Sequence, residues 1–120
     1  MNNGADLGAG MVRYTVFVVV PPPDAGPDEF ESYQFVATGP ALPRAGESLE
    51  FDGPGPFSLS LIVTEVTHWF FNAADDPAQP FRLVVEAHPV PTGRADAQKL
   101  FDPDAPERWV GQYSTLELPA

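Results

Sequence analysis

The sequence predicts a mostly-β fold: a small antiparallel barrel of five to six strands, with a short helical element near the C-terminus. Short segments rich in β-branched and aromatic residues alternate with turns rich in proline and glycine, a pattern typical of antiparallel barrels and sandwiches. The first 90 residues show no convincing helical periodicity. For a chain of 120 residues, one closed or nearly closed barrel uses a small core well and removes exposed strand edges.

The first two predicted strands show the clearest alternation. Residues 12–20 (VRYTVFVVV) place apolar side chains at every even position, and Pro21 ends the strand. Phe17 and Val19 are apolar on the opposite face, so the second half of this strand is predicted to be covered on both sides, like a central strand. Residues 29–38 (EFESYQFVAT) form the second predicted strand.

Three further strands are predicted over residues 47–52, 59–71 and 81–87. Gly46 directly precedes the first of these and is placed to adopt a positive φ. Within residues 59–71 (LSLIVTEVTHWFF), the apolar alternation shifts by one position part-way along the strand. Because side chains alternate strictly between the two faces of a sheet, this shift predicts a β-bulge or sharp bend near residues 64–65.

The last third of the chain contains the predicted helical element. Thr92 or Asp96 is a candidate cap for a short helix that ends at Leu100. Asp104 is followed three residues later by a glutamate, which is the spacing of a capping box and predicts a turn of helix over residues 105–110.

The domain organisation is simple. Residues 1–10 (MNNGADLGAG) are small and polar, and they predict a disordered N-terminal tail. Residues 11–120 then form a single domain, since the length leaves no room for a second one. Residues 113–118 (YSTLEL) alternate and predict a sixth strand that closes the sheet.

One part of the chain resembles a known fold pattern. The segment 42–47 (LPRAGE) is followed by an apolar strand and a glycine turn, then by the segment 63–68 (VTEVTH) and a valine-rich strand. Over residues 42–87 this order resembles the middle of small SH3-like barrels of bacterial and phage proteins. The resemblance implies an SH3-like fold and no particular activity, because such barrels carry many unrelated functions.

Charge and composition exclude several classes of function. The formal net charge is −11, from 17 acidic and 6 basic residues. This charge repels nucleic acids and anionic membranes, and it favours either solubility alone or a basic protein partner. The chain has no cysteine, which excludes disulfides and metal–thiolate sites. No apolar run approaches the ~20 residues of a membrane span, so a cytoplasmic location is predicted. Abundant alanine, proline and glycine, with arginine exceeding lysine, indicate a bacterial or phage source.

The residues that most often carry catalysis are isolated. His68 and His88 are the only histidines, and they lack the spacing of a metal-binding pair, although their strands are candidates for neighbours. Walker, dinucleotide-binding and nucleophile-elbow motifs are absent. The acidic pairs Glu29/Glu31 and Asp102/Asp104 lie near predicted loops, where solvent keeps carboxylates ionised. We therefore predict no cofactor, no metal site, no catalytic residue and no enzymatic activity.

The aromatic end of the fourth predicted strand is the strongest candidate for a binding site. Trp69, Phe70 and Phe71 are consecutive, so alternation must turn at least one ring away from the core. That ring is either covered by the C-terminal segment, in which Trp109 is the natural candidate, or exposed as an anchor for a partner. In the second case the predicted binding residues are Trp69, Phe71, Asp75, Asp76 and Trp109.

These observations predict a non-enzymatic, acidic protein-interaction module whose partner is a basic protein or a second copy of the chain. Three alternatives stay open. The chain can be an acidic inhibitor, such as an immunity protein or nucleic-acid mimic, that blocks a basic site. It can be a structural component of a phage or secretion assembly. It can also be a small hydrolase or metal-dependent enzyme that uses His68.

Overall fold

The computed structural model describes residues 10–20, 31–53, 58–72, 74, 80–102 and 104–119. The predicted disordered tail lies almost entirely outside the described residues. Within them, six strands form one curled sheet with the shape of a half-barrel, and two short helices lie near the C-terminus. The predicted mostly-β, barrel-like fold is confirmed.

Strands β1 (Val12–Val20) and β2 (Glu31–Gly39) form the first antiparallel pair of the sheet. As alternation predicts, the even-numbered residues of β1 face the core, and Val16, Val18 and Val20 are fully buried. In β2, Phe35 is buried on the same face. β1 is an interior strand, flanked by β2 and by a later strand, which agrees with its predicted central position.

Strands β3 (Ser48–Phe51), β4 (Leu59–Phe70) and β5 (Phe81–Pro89) complete most of the sheet. The β4–β5 pairing shifts between Val63 and Glu65, which confirms the predicted bulge. Before the bulge, the odd-numbered residues of β4 face the core; after it, the even-numbered residues do, because Val66 lies opposite the buried Val85.

The strand order is β3-β4-β5-β1-β2-β6, where β6 is Leu116–Glu117. The prediction of an antiparallel barrel needs one correction, because β1 and β5 run parallel. The chain between β1 and β5 supplies the long crossover that a parallel pair requires. In this crossover, β2 pairs on the free side of β1, and β3 and β4 lie on the free side of β5. Among the described residues β3 and β6 do not pair with each other, and the sheet is open.

The C-terminal third covers the concave face of the sheet. A 3-10 turn (Pro91–Gly93) leads into helix α1 (Arg94–Lys99), and helix α2 (Ala105–Val110) follows. Trp109 of α2 is the largest fully buried side chain. Its ring centroid lies 4.9 Å from that of Phe35 and 5.1 Å from that of Phe51, in edge-to-face contacts that favour aromatic pairs.

In the part of the chain that the structure describes, two turn residues adopt positive φ. Gly46 has a φ of 93°, as predicted for the turn before β3, and no side chain would collide with a Cβ at this position. Asp104 has a φ of 58° and makes no side-chain capping bond to α2. The helix over residues 105–110 is therefore confirmed, whereas the predicted capping box does not form.

Candidate functional site

The end of the β4–β5 hairpin exposes four aromatic side chains. On β4 and directly after it, Trp69 is 54% exposed, Phe70 79% and Phe71 37%; on β5, Phe81 is 52% exposed and lies opposite Phe70. Isolated exposed apolar residues are ordinary, but large rings gathered at one place are typical of binding surfaces. Of the two alternatives for the outward-facing ring, coverage by the C-terminal segment or exposure, the structure agrees with exposure.

The rings divide between the two faces of the sheet. Phe70 lies opposite Phe81, in phase with the core-facing residues of β5. Trp69 lies opposite Arg82 and points to the other face, which we call the outer face. The outer face carries a shallow trough of about 470 Å3, which we call the outer trough; it is lined by Phe17, Glu65, Thr67, Trp69, Phe71, Arg82, Val84 and Glu86.

The floor of the outer trough is apolar because three strands contribute apolar residues to the same face. Phe17 of β1 and Val84 of β5 are both half-buried there, beside the more exposed Trp69 and Phe71. In the parallel register Phe17 lies opposite Glu86, two residues beyond the Thr15–Val84 pair and on the same face. The apolar residues are therefore contiguous across the central strands of the sheet.

Two carboxylates lie at one end of the outer trough. Glu65 and Glu86 are paired across β4 and β5, directly after the bulge. Glu86 Oε2 accepts a hydrogen bond from Thr64 Oγ1 at 3.2 Å, and His88 Nε2 lies 3.5 Å from the same oxygen. Within the described part of the chain, no lysine or arginine forms an ion pair with Glu65 or Glu86.

Arg82 is oriented away from these carboxylates. Its Nε donates to Thr15 Oγ1 at 3.4 Å and its Nη2 donates to Gln34 Oε1 at 3.3 Å. The guanidinium carbon also lies 5.9 Å from the centroid of the Phe17 ring, which is within cation–π range. Arg82 thus lies across β1 towards β2, and the negative charge at the glutamate end is not neutralised by it.

The structure changes the predicted set of binding residues. Trp109 is 1% exposed and lies in the core, on the face of the sheet opposite Trp69. It neither joins the exposed rings nor covers them, because its indole instead completes the aromatic core with Phe35 and Phe51. Asp75 and Asp76 lie outside the described residues.

Several residues of the surface were not predicted, namely Phe17, Glu65, Phe81, Val84 and Glu86. Each was recognisable as outward-facing or strand-terminal: Val84 interrupts the otherwise polar face of β5, and Phe17 shares its face of β1 with the apolar Val19. Their combination depends on the strand order, which places β1, β5 and β4 side by side. Alternation within a strand does not reveal that order.

The two histidines do not form a common site. His68 lies opposite Leu83 on the core-facing side of the sheet, whereas His88 lies opposite Ile62 on the outer face. They are on adjacent strands, as their positions suggested, but the sheet separates their side chains. No group of three histidine, aspartate or glutamate side chains among the described residues is arranged to hold a metal ion.

Comparisons with protein families, with curated proteins and with solved structures find no match to this chain. Its functional assignment therefore depends on the geometry of its own surface. In the described residues, no helix is long and apolar enough to cross a membrane, since α1 and α2 have six residues each.

Proposed function

We propose that this chain is a non-enzymatic, acidic protein-interaction module that binds a basic protein partner in the outer trough. The observation that carries the proposal is the combination of an exposed apolar floor with the Glu65–Glu86 pair at one end. Aromatic anchors supply most of the binding free energy in typical interfaces, and flanking charges set the choice of partner.

The charge of the whole chain supports a basic partner. Each chain carries a net charge of −11, which accelerates the approach of a positively charged protein and slows that of nucleic acids. A lysine or arginine side chain fits both parts of the outer trough. Its aliphatic stem can lie along Val84 and Trp69, and its cationic head can reach Glu65 and Glu86.

The test is a pull-down with tagged protein from a lysate of the source organism, at low and at high salt, read by mass spectrometry. We expect one stoichiometric basic partner that is retained at low salt and released at high salt. The double variant Glu65→Lys/Glu86→Lys and the single variant Trp69→Ser should each lose at least about nine-tenths of this partner, a tenfold weakening being about 1.4 kcal/mol.

Matched controls separate the surface from general effects. Glu107→Lys, on α2, changes the net charge by the same amount as each of the substitutions at Glu65 and Glu86. Ile62→Ser removes an exposed apolar side chain elsewhere on β4. Both controls should keep the partner. If the glutamate and tryptophan variants capture it as well as the parent does, the outer trough is not the binding site.

A further inference from the structure

Half of strand β4 has an open edge. On the side away from β5, β3 pairs only with residues 59–62. Among the described residues, the last backbone hydrogen bonds on that side join Gly46 and Glu47 to Val63. Beyond the bulge, residues 65–70 pair with β5 on one side only. No other strand in the described part of the chain covers this edge.

The direction of the free backbone groups follows from two hydrogen bonds. The Val63 amide donates to the Glu47 carbonyl at 2.9 Å, so Val63 faces β3; the Phe71 amide donates to the Pro80 carbonyl at 2.9 Å, so Phe71 faces β5. Backbone direction alternates along an antiparallel strand. After the bulge, the amides and carbonyls of Val66, His68 and Phe70 therefore point away from β5, towards the open edge.

This edge lacks the features that normally prevent strand addition. Natural sheets protect their edges with very short strands, prolines or charged side chains. β3 and β6 have four and two residues, and each includes a glutamate. Residues 66–71 (VTHWFF), in contrast, contain no proline, lysine, arginine or acidic residue.

We infer that a second copy of the chain adds to this edge, with the two β4 strands antiparallel and related by a two-fold axis at His68. In this register His68 lies opposite His68 of the second copy, Val66 opposite Phe70, and Thr67 opposite Trp69. Val66, His68 and Phe70 each exchange both backbone hydrogen bonds with the opposite residue. The two sheets become one continuous sheet.

Charge is the reason to favour a second copy at this position. Two chains that each carry −11 approach most easily through an uncharged segment, and residues 66–74 form one. The antiparallel register sets Glu65 against Phe71 and places no acidic residue opposite another acidic residue. The segment is thus complementary to itself, and its aromatic rings lose exposed surface on pairing.

This inference extends the proposed function without depending on it. Strand addition uses the edge of β4 and leaves the outer face open, so the outer troughs of the two copies lie side by side in the dimer. A dimeric module then presents two sites to a basic partner, and two linked sites increase the strength of binding.

The test is the molar mass of the purified chain across micromolar concentrations, by sedimentation equilibrium. We expect a monomer–dimer equilibrium. His68→Pro removes the outward amide without removing a bond to β5, and proline is tolerated at such edge positions. It should weaken dimerisation at least about tenfold, whereas His68→Ala keeps the amide and should dimerise like the parent. Circular dichroism confirms that each variant is folded.

A charge variant covers the case in which the proline substitution unfolds β4. Phe70→Lys places a cation beside the two-fold axis and should also weaken dimerisation at least about tenfold. Leu118→Lys introduces the same charge at another exposed apolar side chain and should have little effect. A parent that is monomeric at every concentration, or a dimer equally strong in folded His68→Pro and Phe70→Lys, overturns the inference.

The register is tested by cross-linking, because the chain contains no native cysteine. In the proposed dimer, the two copies of His68→Cys have Cα atoms about 5.5 Å apart, and a short bis-maleimide should join them. The two copies of Ile62→Cys lie about 40 Å apart at the ordinary rise of a strand and should not be joined. Efficient cross-linking only at position 62 contradicts the register.

Since monomeric His68→Pro still has its outer trough, partner capture by this variant tests the proposed function separately.

Discussion

At the scale of single residues, Tyr33 is an unusual member of the core. Its hydroxyl is buried and has no hydrogen-bond partner among the described residues, although its ring makes an edge-to-face contact with Phe101 at a centroid distance of 5.2 Å. A buried polar group without a partner loses its hydration and gains nothing in return. The ring of Tyr33 therefore stabilises the fold, while its hydroxyl opposes folding.

We expect Tyr33→Phe to raise the free energy of unfolding by about 1 kcal/mol, because it removes the unsatisfied hydroxyl and keeps the ring. Urea titration of the parent and the variant measures this difference. A loss of stability in Tyr33→Phe would show that the hydroxyl has a partner in solution.

The same residue gives a prediction for pH. Burial raises the pKa of Tyr33 above its ordinary value of about 10. The folded state then holds the phenolic proton more tightly than the unfolded state does. This contribution to stability is fully present below pH 10 and is lost as the pH rises above it, at up to about 1.4 kcal/mol per pH unit.

Thermal melting between pH 9 and pH 11 measures this loss. The melting temperature of the parent should fall more steeply above about pH 10 than that of Tyr33→Phe. The variant should retain part of the slope, because burial also raises the pKa of Tyr14 and Tyr113. Identical slopes in the two proteins would contradict the assignment to Tyr33.

At the scale of elements, the bulge in β4 decides which residues of the strand reach the core. Val63 lies opposite Ala87 and Glu65 opposite Glu86, so Thr64 is the extra residue. Its hydroxyl donates to the backbone and side chain of Glu86. Without Thr64, both halves of β4 would still pair with β5 in the same register.

Deletion of Thr64 should therefore leave the fold in place and cost about 1–3 kcal/mol, since the pairs on either side become continuous. Deletion of Ile62, an exposed residue of the same strand, should cost more than about 3 kcal/mol because it turns the buried Leu61 or Val63 away from the core. Denaturant unfolding compares the two deletions. A larger loss for the Thr64 deletion would show that the bend itself, and not the register, maintains the half-barrel.

At the scale of the whole molecule, the negative net charge favours binding of a basic partner and opposes dimerisation. Salt screens attraction between the acidic chain and a basic partner, and it equally screens repulsion between two acidic copies. Raising the salt concentration should thus weaken capture of the partner and strengthen dimerisation, each by several-fold or more.

Sedimentation equilibrium and partner pull-down in the same salt series measure both trends. The Glu107→Lys control reduces the negative charge on α2, outside the outer trough and the open edge of β4, and should shift each trend only slightly. Dimerisation that weakens with salt would contradict pairing through an uncharged strand edge, because such a response requires attraction between charges across the interface.

The sequence by itself determined the elements and the faces of the strands. The alternating residues of β1, the shift in β4 that marks the bulge, the turn at Gly46 and the helix Ala105–Val110 are all consequences of local chemistry. Backbone geometry fixes side-chain direction within a strand, so the sequence predicted that at least one of Trp69, Phe70 and Phe71 turns away from the core. Whether that ring is covered or exposed was decided by the tertiary structure, which leaves Trp69 54% exposed.

Only the tertiary structure decided how these elements combine. The parallel pairing of β1 with β5 brings Phe17 onto one surface with Trp69 and Val84. Phe17 precedes both of these residues by more than 50 positions in the sequence. The burial of Trp109 likewise depends on where α2 meets Phe35 and Phe51. Alternation and propensity act over a few residues, whereas strand order and helix docking follow from contacts between distant parts of the chain.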